Sequence, residues 1–582
     1  MNKNDLLLEF NNFGFQYNAQ SKPTLNNINF ALHRGEKVLI AGPSGCGKST
    51  MVHCINGLIP FSYKGEMTGS LKIKGQETRN LSLFEISKSV GTVLQDSDSQ
   101  FVGLTVAEDI AFALENDCVP QDELTERVKE VATTVNVRDF LGHAPGDLSG
   151  GQKQRVSMAG VLVDDVDILL FDEPLANLDP KTGKDAIELI DEMQKKTGAA
   201  VIIVEHRLED VLHRHVDRVV LMSEGSIVAD LSTNELLSSN LLADHGIREP
   251  LYVTALKYAG VKVTARMCPE SIDKLNLSGE DIKKVCDWFK ACEKIPGKET
   301  PETILKASDI EFEYDNGHKA LYDISLEVGQ GEMIAIVGTN GAGKSTFSKV
   351  VCGFEKENRG QLTFKGSPLS ELSIKERADH IGYVMQNPNQ MISKVMIMDE
   401  VALGLRSRGR SEEVIKERTE NALKVCGLWP FRNWPVSALS FGQKKRVTIA
   451  SILALDPEII ILDEPTAGQD FRHYTEIMEF LTELNSKGIT IIMITHDMHL
   501  MLEYASRSVV FSKGTVIADD TAAKILTNDD IVKRASLKET SLYRLAVMCG
   551  IDNPSEFVQC FIDYERSHRE AQKVQEGGEC NE

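Results

Sequence analysis

The sequence is poor in the features that would anchor a chain, staple it or hold it on nucleic acid. No apolar run reaches the roughly eighteen residues of a membrane span, and no apolar stretch of a signal peptide follows Met1 to Asp5. The chain itself is therefore expected not to cross a membrane. Cysteine is sparse, with 11 residues in 582 and neither a C-x-x-C pair nor a Cys/His ligand spacing. That pattern argues for reduced cytosolic thiols over disulfides, zinc or an iron–sulfur cluster. Positive charge is in deficit: 64 Lys and Arg stand against 86 Asp and Glu, a formal charge of −22. A bare nucleic-acid or anionic-lipid surface is disfavoured, because phosphate backbones are held by accumulated Lys and Arg. The remainder, 42% apolar and 26% charged, is ordinary globular material.

What the chain does have, twice, is a glycine-rich octapeptide ending in lysine and a hydroxyl. Gly42, Pro43, Ser44, Gly45, Cys46, Gly47, Lys48 and Ser49, then Thr50, return as Gly338, Thr339, Asn340, Gly341, Ala342, Gly343, Lys344 and Ser345, then Thr346. Both fit the phosphate-binding loop G-x-x-x-x-G-K-[ST]. The glycines let successive N–H groups point inward at phosphates, Lys48 or Lys344 reaches the β- and γ-phosphates, and Ser49 or Ser345 offers a hydroxyl to Mg²⁺. The apolar runs 38–41 and 334–337 read as buried parallel strands, and helix-compatible sequence after each Ser-Thr brings the phosphates to a helix N-terminus. Cys46 reads as a small residue that fits the loop. A chance glycine-rich turn is a weak account of one such loop and a weaker account of two.

The repeat extends far beyond the loop. Lys48 and Lys344 are 296 residues apart, while Gln95 and Gln386, Ser149 and Ser440, and Glu173 and Glu464 are each 291 apart. Leu251-Tyr252 likewise recurs as Leu542-Tyr543, so each copy owns a small C-terminal appendage. This is duplication of a whole domain. The expected boundaries are a first domain over residues 1–245, its appendage and a linker over 246–304, a second domain over 305–530, and an appendage over 531–582 ending in a polar, disordered tail from Arg566.

Downstream of each loop an apolar strand ends in two carboxylates, Asp172-Glu173 and Asp463-Glu464. Asp172 or Asp463 would hold the Mg²⁺ shell, and Glu173 or Glu464 would orient or deprotonate the attacking water, a role worth ~10²–10⁴-fold in rate. Between loop and carboxylates lie Leu148-Ser149-Gly150-Gly151-Gln152 and Leu439-Ser440-Phe441-Gly442-Gln443, each opening a helix. This order resembles the nucleotide-binding domain of ATP-binding cassette (ABC) proteins, in two passes over nearly the whole chain.

The resemblance implies two tandem α/β P-loop ATPase domains, each with a helical subdomain, that bind ATP and Mg²⁺ and pair within one chain. It implies that the Ser149 or Ser440 corner caps the triphosphate held by the other copy. By the same resemblance Tyr17 and Tyr314 stack on adenine, Gln95 and Gln386 touch Mg²⁺ and relay to a membrane partner, and His206 and His496 contact the γ-phosphate. Asp179 and Asp470 would couple the two sites. Phe441 departs from the pattern, standing where glycine is usual; the expectation is that its side chain points away from nucleotide.

After each glutamine, the segments 95–101 and 386–391 resemble the Q-N-P-D-x-Q stretch of energy-coupling-factor ATPases, which drive importers of vitamins and metal ions. In that class an acid here receives an arginine of the transmembrane subunit; Asp98 matches and Asn389 does not. The fused architecture also resembles the ATPase of hydroxymethylpyrimidine/thiamine importers. The implied partners are a T-type transmembrane subunit and a small substrate-binding membrane protein, with the chain peripheral on the cytoplasmic face. The alternative is a soluble tandem-ABC factor acting on ribosomes or in DNA repair. It is disfavoured because residues 246–304 have mixed charge, no cysteine cluster occurs and the net charge is negative. The fused ATPase of sugar importers usually has one degenerate copy, whereas both copies here keep their catalytic positions.

Overall fold

The computed structural model describes residues 5–94, 100–176, 178–292, 301–466, 469 and 471–579. The chain divides into two compact units, residues 1–284 with 470–472, and residues 285–469 with 473–582.

In the first unit a six-stranded sheet runs Val90–Val93, Ile168–Asp172, Ala200–Val204, Lys37–Ala41, Arg218–Ser223, Ser226–Leu231. The first five strands are parallel and the last is antiparallel. The second unit repeats this order with Ile381–Val384, Ile459–Asp463, Thr490–Ile494, Met333–Gly338, Arg507–Ser512 and Thr515–Asp520. Such strands are apolar at nearly every position because both faces are covered. Val38 and Ile40 enter one core with Ile168, Leu170 and Ile202, while Leu39 and Ala41 enter another with Leu169, Phe171 and Ile203.

Each unit adds an antiparallel sheet of four strands, led by Leu6–Tyr17 and Leu25–His33 in the first and by Thr303–Glu313 and Lys319–Gly329 in the second. The helical layers are Val106–Asn116, Gln121–Thr134 and Gly150–Leu162, matched by Ile397–Ser407, Glu412–Val425 and Phe441–Leu453. Both apolar stripes are anchored by buried residues at helical spacing, such as Val106, Ile110 and Leu114, or Ile397, Val401 and Leu405.

The appendages are also homologous. Helices Leu251–Tyr258 and Ser541–Met548 end at Gly260 and Gly550, whose φ values of 72° and 68° lie in the left-handed region that ends a helix.

Two expectations are corrected. Residues 566–579, expected to be disordered, continue the helix Pro554–Glu579. At Arg569 the anchoring is ionic: its guanidinium donates to Glu503 at 2.9 Å and to the Tyr504 hydroxyl at 2.7 Å. The thiols are also not all reduced, because Cys292 and Cys560 form a disulfide with Cα atoms 6.1 Å apart. The two cysteines are 268 residues apart in sequence, so no local spacing announces them. Cys292 directly follows the helix Gly279–Ala291, whose Trp288 and Phe289 pack edge-on against Phe557.

Candidate active site

Within each unit the phosphate loop, the carboxylates and the histidine converge because each leaves the carboxyl end of a parallel strand, where open α/β sheets bind ligands. Lys37–Ala41 feeds the phosphate loop, Ile168–Asp172 presents Asp172 and Glu173, and Ala200–Val204 leads to His206. The second sheet does the same for Gly338 to Ser345, Asp463, Glu464 and His496. Gln386 follows Ile381–Val384, whereas Gln95, Asp98, Asn177 and Asp470 lie outside the described residues.

Each phosphate loop ends on a glycine that no side chain could replace. Gly47 caps helix Lys48–Ile55 at φ 103°, and an added Cβ would come within 2.8 Å of Leu25 and 3.0 Å of the Thr24 carbonyl. Gly343 caps Lys344–Cys352 at φ 97° in the same way. Both lysines are buried and donate to carbonyls of their own loops. Lys48 Nζ reaches Gly42 and Pro43 at 2.7 and 2.9 Å, and Lys344 Nζ reaches Gly338 and Thr339 at 2.8 and 2.9 Å. Engaging a phosphate exchanges those neutral acceptors for charged oxygens, a stronger bond. The tyrosines stand beside these loops, with the Tyr17 hydroxyl 3.2 Å from Thr50 Oγ1 and the Tyr314 hydroxyl 3.0 Å from Thr346 Oγ1.

The carboxylates carry the strongest electrostatic signature. Burial pushes the Asp172 carboxyl up to about 6 against the pull of Lys48, and Asp172 Oδ1 has no hydrogen-bond partner among the described residues. A buried, unpartnered carboxylate oxygen facing a phosphate-loop lysine fits a divalent cation, so Ser49, Asp172 and Ser345, Asp463 have the donor chemistry for Mg²⁺. Burial also raises Asp463, which accepts from the Tyr383 hydroxyl at 2.9 Å. The equivalent residue in copy one, Thr92, is too short to do this, and its hydroxyl has no partner among the described residues.

Glu173 and Glu464 sit at φ 48° and 45°, left-handed positions that non-glycine residues avoid. Their amides donate to Val204 and Ile494, so the strand ladder extends past its end and holds the strained residue in place. Burial raises the Glu173 carboxyl, with His206 opposing. The histidines are held differently. His496 Nδ1 lies 2.7 Å from Glu464 Oε1, while His206 Nδ1 lies 3.2 Å from the fully buried Glu205, which occupies the position of Thr495.

Ser149 and Ser440 cap their helices in reciprocal boxes with Gln152 and Gln443: Ser149 N–H donates to Gln152 Oε1 at 2.8 Å and Ser440 N–H to Gln443 Oε1 at 3.0 Å. Phe441 opens its helix without disturbing that box and is 43% exposed. A Cβ on its counterpart Gly150 would meet nothing within 4 Å, which explains why the backbone accepts a side chain. Asp179 caps helix Pro180–Thr197 through Thr182, a local structural duty.

Sequence reasoning missed Tyr383, Glu205 and Lys445. Lys445 is fully buried, and burial lowers its ammonium to about 8 although Asp463 and Glu464 favour the charged form. The available signal was the difference between the copies at equivalent positions.

The folds and sites define a pair of P-loop ATPase domains. The comparisons specify the family: an ABC transporter profile matches residues 25–176 and 321–467, and a profile described as ATP-binding cassette cobalt transporter matches 239–312. A putative ABC transporter ATP-binding protein of Clostridium perfringens is 60% identical over 563 residues, covering 97% of this chain and 99% of that one. One from Enterococcus faecalis is 55% identical over 566 residues, with 97% and 99% covered. A solved structure of CbiO1 from Clostridium perfringens, titled as part of the ABC transporter complex CbiONQ, covers 43% of this chain and all of its own at 34% identity and TM-score 0.38. The chain belongs to the ABC transporter ATP-binding proteins, ATPases that use ATP with Mg²⁺. No helix among the described residues is long and apolar enough to cross a membrane.

Proposed function

We propose that the chain energises an energy-coupling-factor type importer of a vitamin, a vitamin precursor or a metal ion. The carrying observation is the match of residues 239–312 to the cobalt-transporter family. That segment lies outside both ABC transporter matches, so it speaks for the transport system and not for ATP chemistry alone. The segments after Gln95 and Gln386 support the same reading, and the resemblance carries the partners with it: a T-type transmembrane subunit and a small substrate-binding membrane protein. On this reading the chain is peripheral on the cytoplasmic face, bound through those partners.

Site one uses Lys48, Ser49, Gln95, Asp172, Glu173 and His206, and site two uses Lys344, Ser345, Gln386, Asp463, Glu464 and His496. The Ser149–Gln152 and Ser440–Gln443 corners bind triphosphate, each a helix start offering N–H groups to an anion. Ser49, Gln95 and Asp172 in one copy, and Ser345, Gln386 and Asp463 in the other, would hold Mg²⁺, which would supply positive charge against the charge developing on the phosphates. Glu173 and Glu464 orient the attacking water and take its proton, with His496 fixing the Glu464 carboxylate. Closure on ATP and reopening after hydrolysis move the partner docked near the glutamines.

Replacing Glu173→Gln and Glu464→Gln together is expected to leave ATP affinity within about twofold while turnover falls ~10²–10⁴-fold. Nucleotide binding and phosphate release on the purified complex check this, and normal turnover refutes the site assignment. Purification from native membranes should retain two small, very hydrophobic subunits. Recovery of the chain stably alone, or with ribosomes, refutes the transport reading.

A further inference from the structure

Copy two contains a buried charge that copy one lacks. Lys445 lies one turn into helix Phe441–Leu453, 1% exposed, and its Nζ donates to the backbone carbonyls of Met385 and Gln386 at 2.8 and 2.9 Å. The equivalent residue in copy one is Gln154, whose amide donates instead to the Pro174 carbonyl, beyond Glu173. Burying an ammonium is costly unless it is fully paired, and an uncharged side chain fills the equivalent space in copy one. In copy two the charge is satisfied by the loop that carries Gln386 and by the field of Asp463 and Glu464.

Other contacts act on the same loop. Asn389 accepts from Lys444 at 3.3 Å, so consecutive lysines of one helix grip both ends of the segment 385–389. The loop also carries its own turn, Pro388–Gln390: the Asn387 side chain accepts the Asn389 amide at 2.9 Å, and the Gln390 and Met391 amides donate to the Asn387 and Pro388 carbonyls, each at 3.1 Å. The two lysines tie that turn to the signature helix.

We propose that Lys445 is a positioning residue for the second ATP site, fixing the backbone of the glutamine loop to the signature helix so that Gln386 is presented from a constant height. The proposal rests on the reading of Gln386 and Glu464 as site residues. Movement of the signature helix is then transmitted to the glutamine loop of copy two through Lys445, whereas the equivalent Gln154 braces the segment after Glu173.

The test uses the full chain bearing Lys445→Gln, which installs the side chain that copy one already accommodates. Deuterium uptake over residues 385–391 without nucleotide is expected to rise at least about fivefold. Turnover at saturating ATP is expected to fall about 3–10-fold with KM for ATP within about twofold, the signature of lost positioning. The thermal midpoint is expected to stay within about 3 °C of the parent. Unchanged uptake, or faster uptake with unchanged turnover, overturns the proposal, as does a loss of turnover accompanied by a large fall in the midpoint. Lys445→Met, of similar length but without donors, gives the same readouts should the glutamine variant not fold. Glu464→Gln in the parent chain checks the underlying reading separately: if it leaves turnover intact, the site assignment fails whatever Lys445 does.

Discussion

At the residue scale, equivalent glycines in the two signature helices have different neighbours. A Cβ on Gly151 would come within 2.5 Å of Thr182 Cγ2, whose side chain is fixed by Asp179, whereas a Cβ on Gly442 would meet nothing closer than 3.6 Å. Gly151→Ala is therefore expected to cost about 1–3 kcal/mol through overpacking. Gly442→Ala should be neutral, or stabilise by up to about 1 kcal/mol as helix propensity gains. Urea unfolding of both single variants checks the contrast, and equal effects would show that the Thr182 contact relaxes freely. Most residues of the candidate site could be picked out in sequence because phosphate loop, signature, carboxylates and histidine occur in a fixed order, each on a recognisable local pattern. Tyr383, Glu205 and Lys445 were not, because a tyrosine in a strand or a lysine in a helix acquires its role only when folding brings a second strand or loop beside it.

At the element scale, one ion pair is retained between the copies with its signs exchanged. Lys88, ending helix Leu83–Ser87, pairs with Asp117 at the end of Val106–Asn116. The equivalent positions in copy two are Asp379 and Arg408, which also pair. The contact demands opposite charge and is indifferent to which element carries which. Lys88→Asp and Asp117→Lys alone should each cost about 0.5–1 kcal/mol, and the double exchange should recover most of it, measured as a double-mutant cycle by chemical denaturation. Strictly additive losses would show that the pair contributes nothing. The existence of the strands was readable from their apolar runs, but their order in the sheet was not, since each parallel neighbour is reached through a long crossover. The start of the tail at Arg566 was misread for a related reason: there the helix 554–579 is held by Arg569 pairing with Glu503, a contact with no apolar period to detect.

At the scale of the whole molecule, the duplication was legible end to end while the covalent tie within the second unit was not. The disulfide brings Cys292 to the C-terminal helix, beside the packing of Trp288 and Phe289 on Phe557. Removing it with Cys560→Ser should lower the stability of the second unit by about 2–4 kcal/mol, and reductant should then have no further effect on the thermal midpoint. A midpoint equally sensitive to reductant in variant and parent would place the stabilising thiol chemistry elsewhere. The left-handed glutamates have a different kind of consequence for the pair. Glycine would relax the backbone at 173 or 464, so folding alone favours erosion of each carboxylate, and only use of the site opposes it. A copy relieved of hydrolysis would be expected to drift toward glycine at that position first. Both halves carry the strained acid, so on the proposed reading neither copy has been relieved of its chemistry.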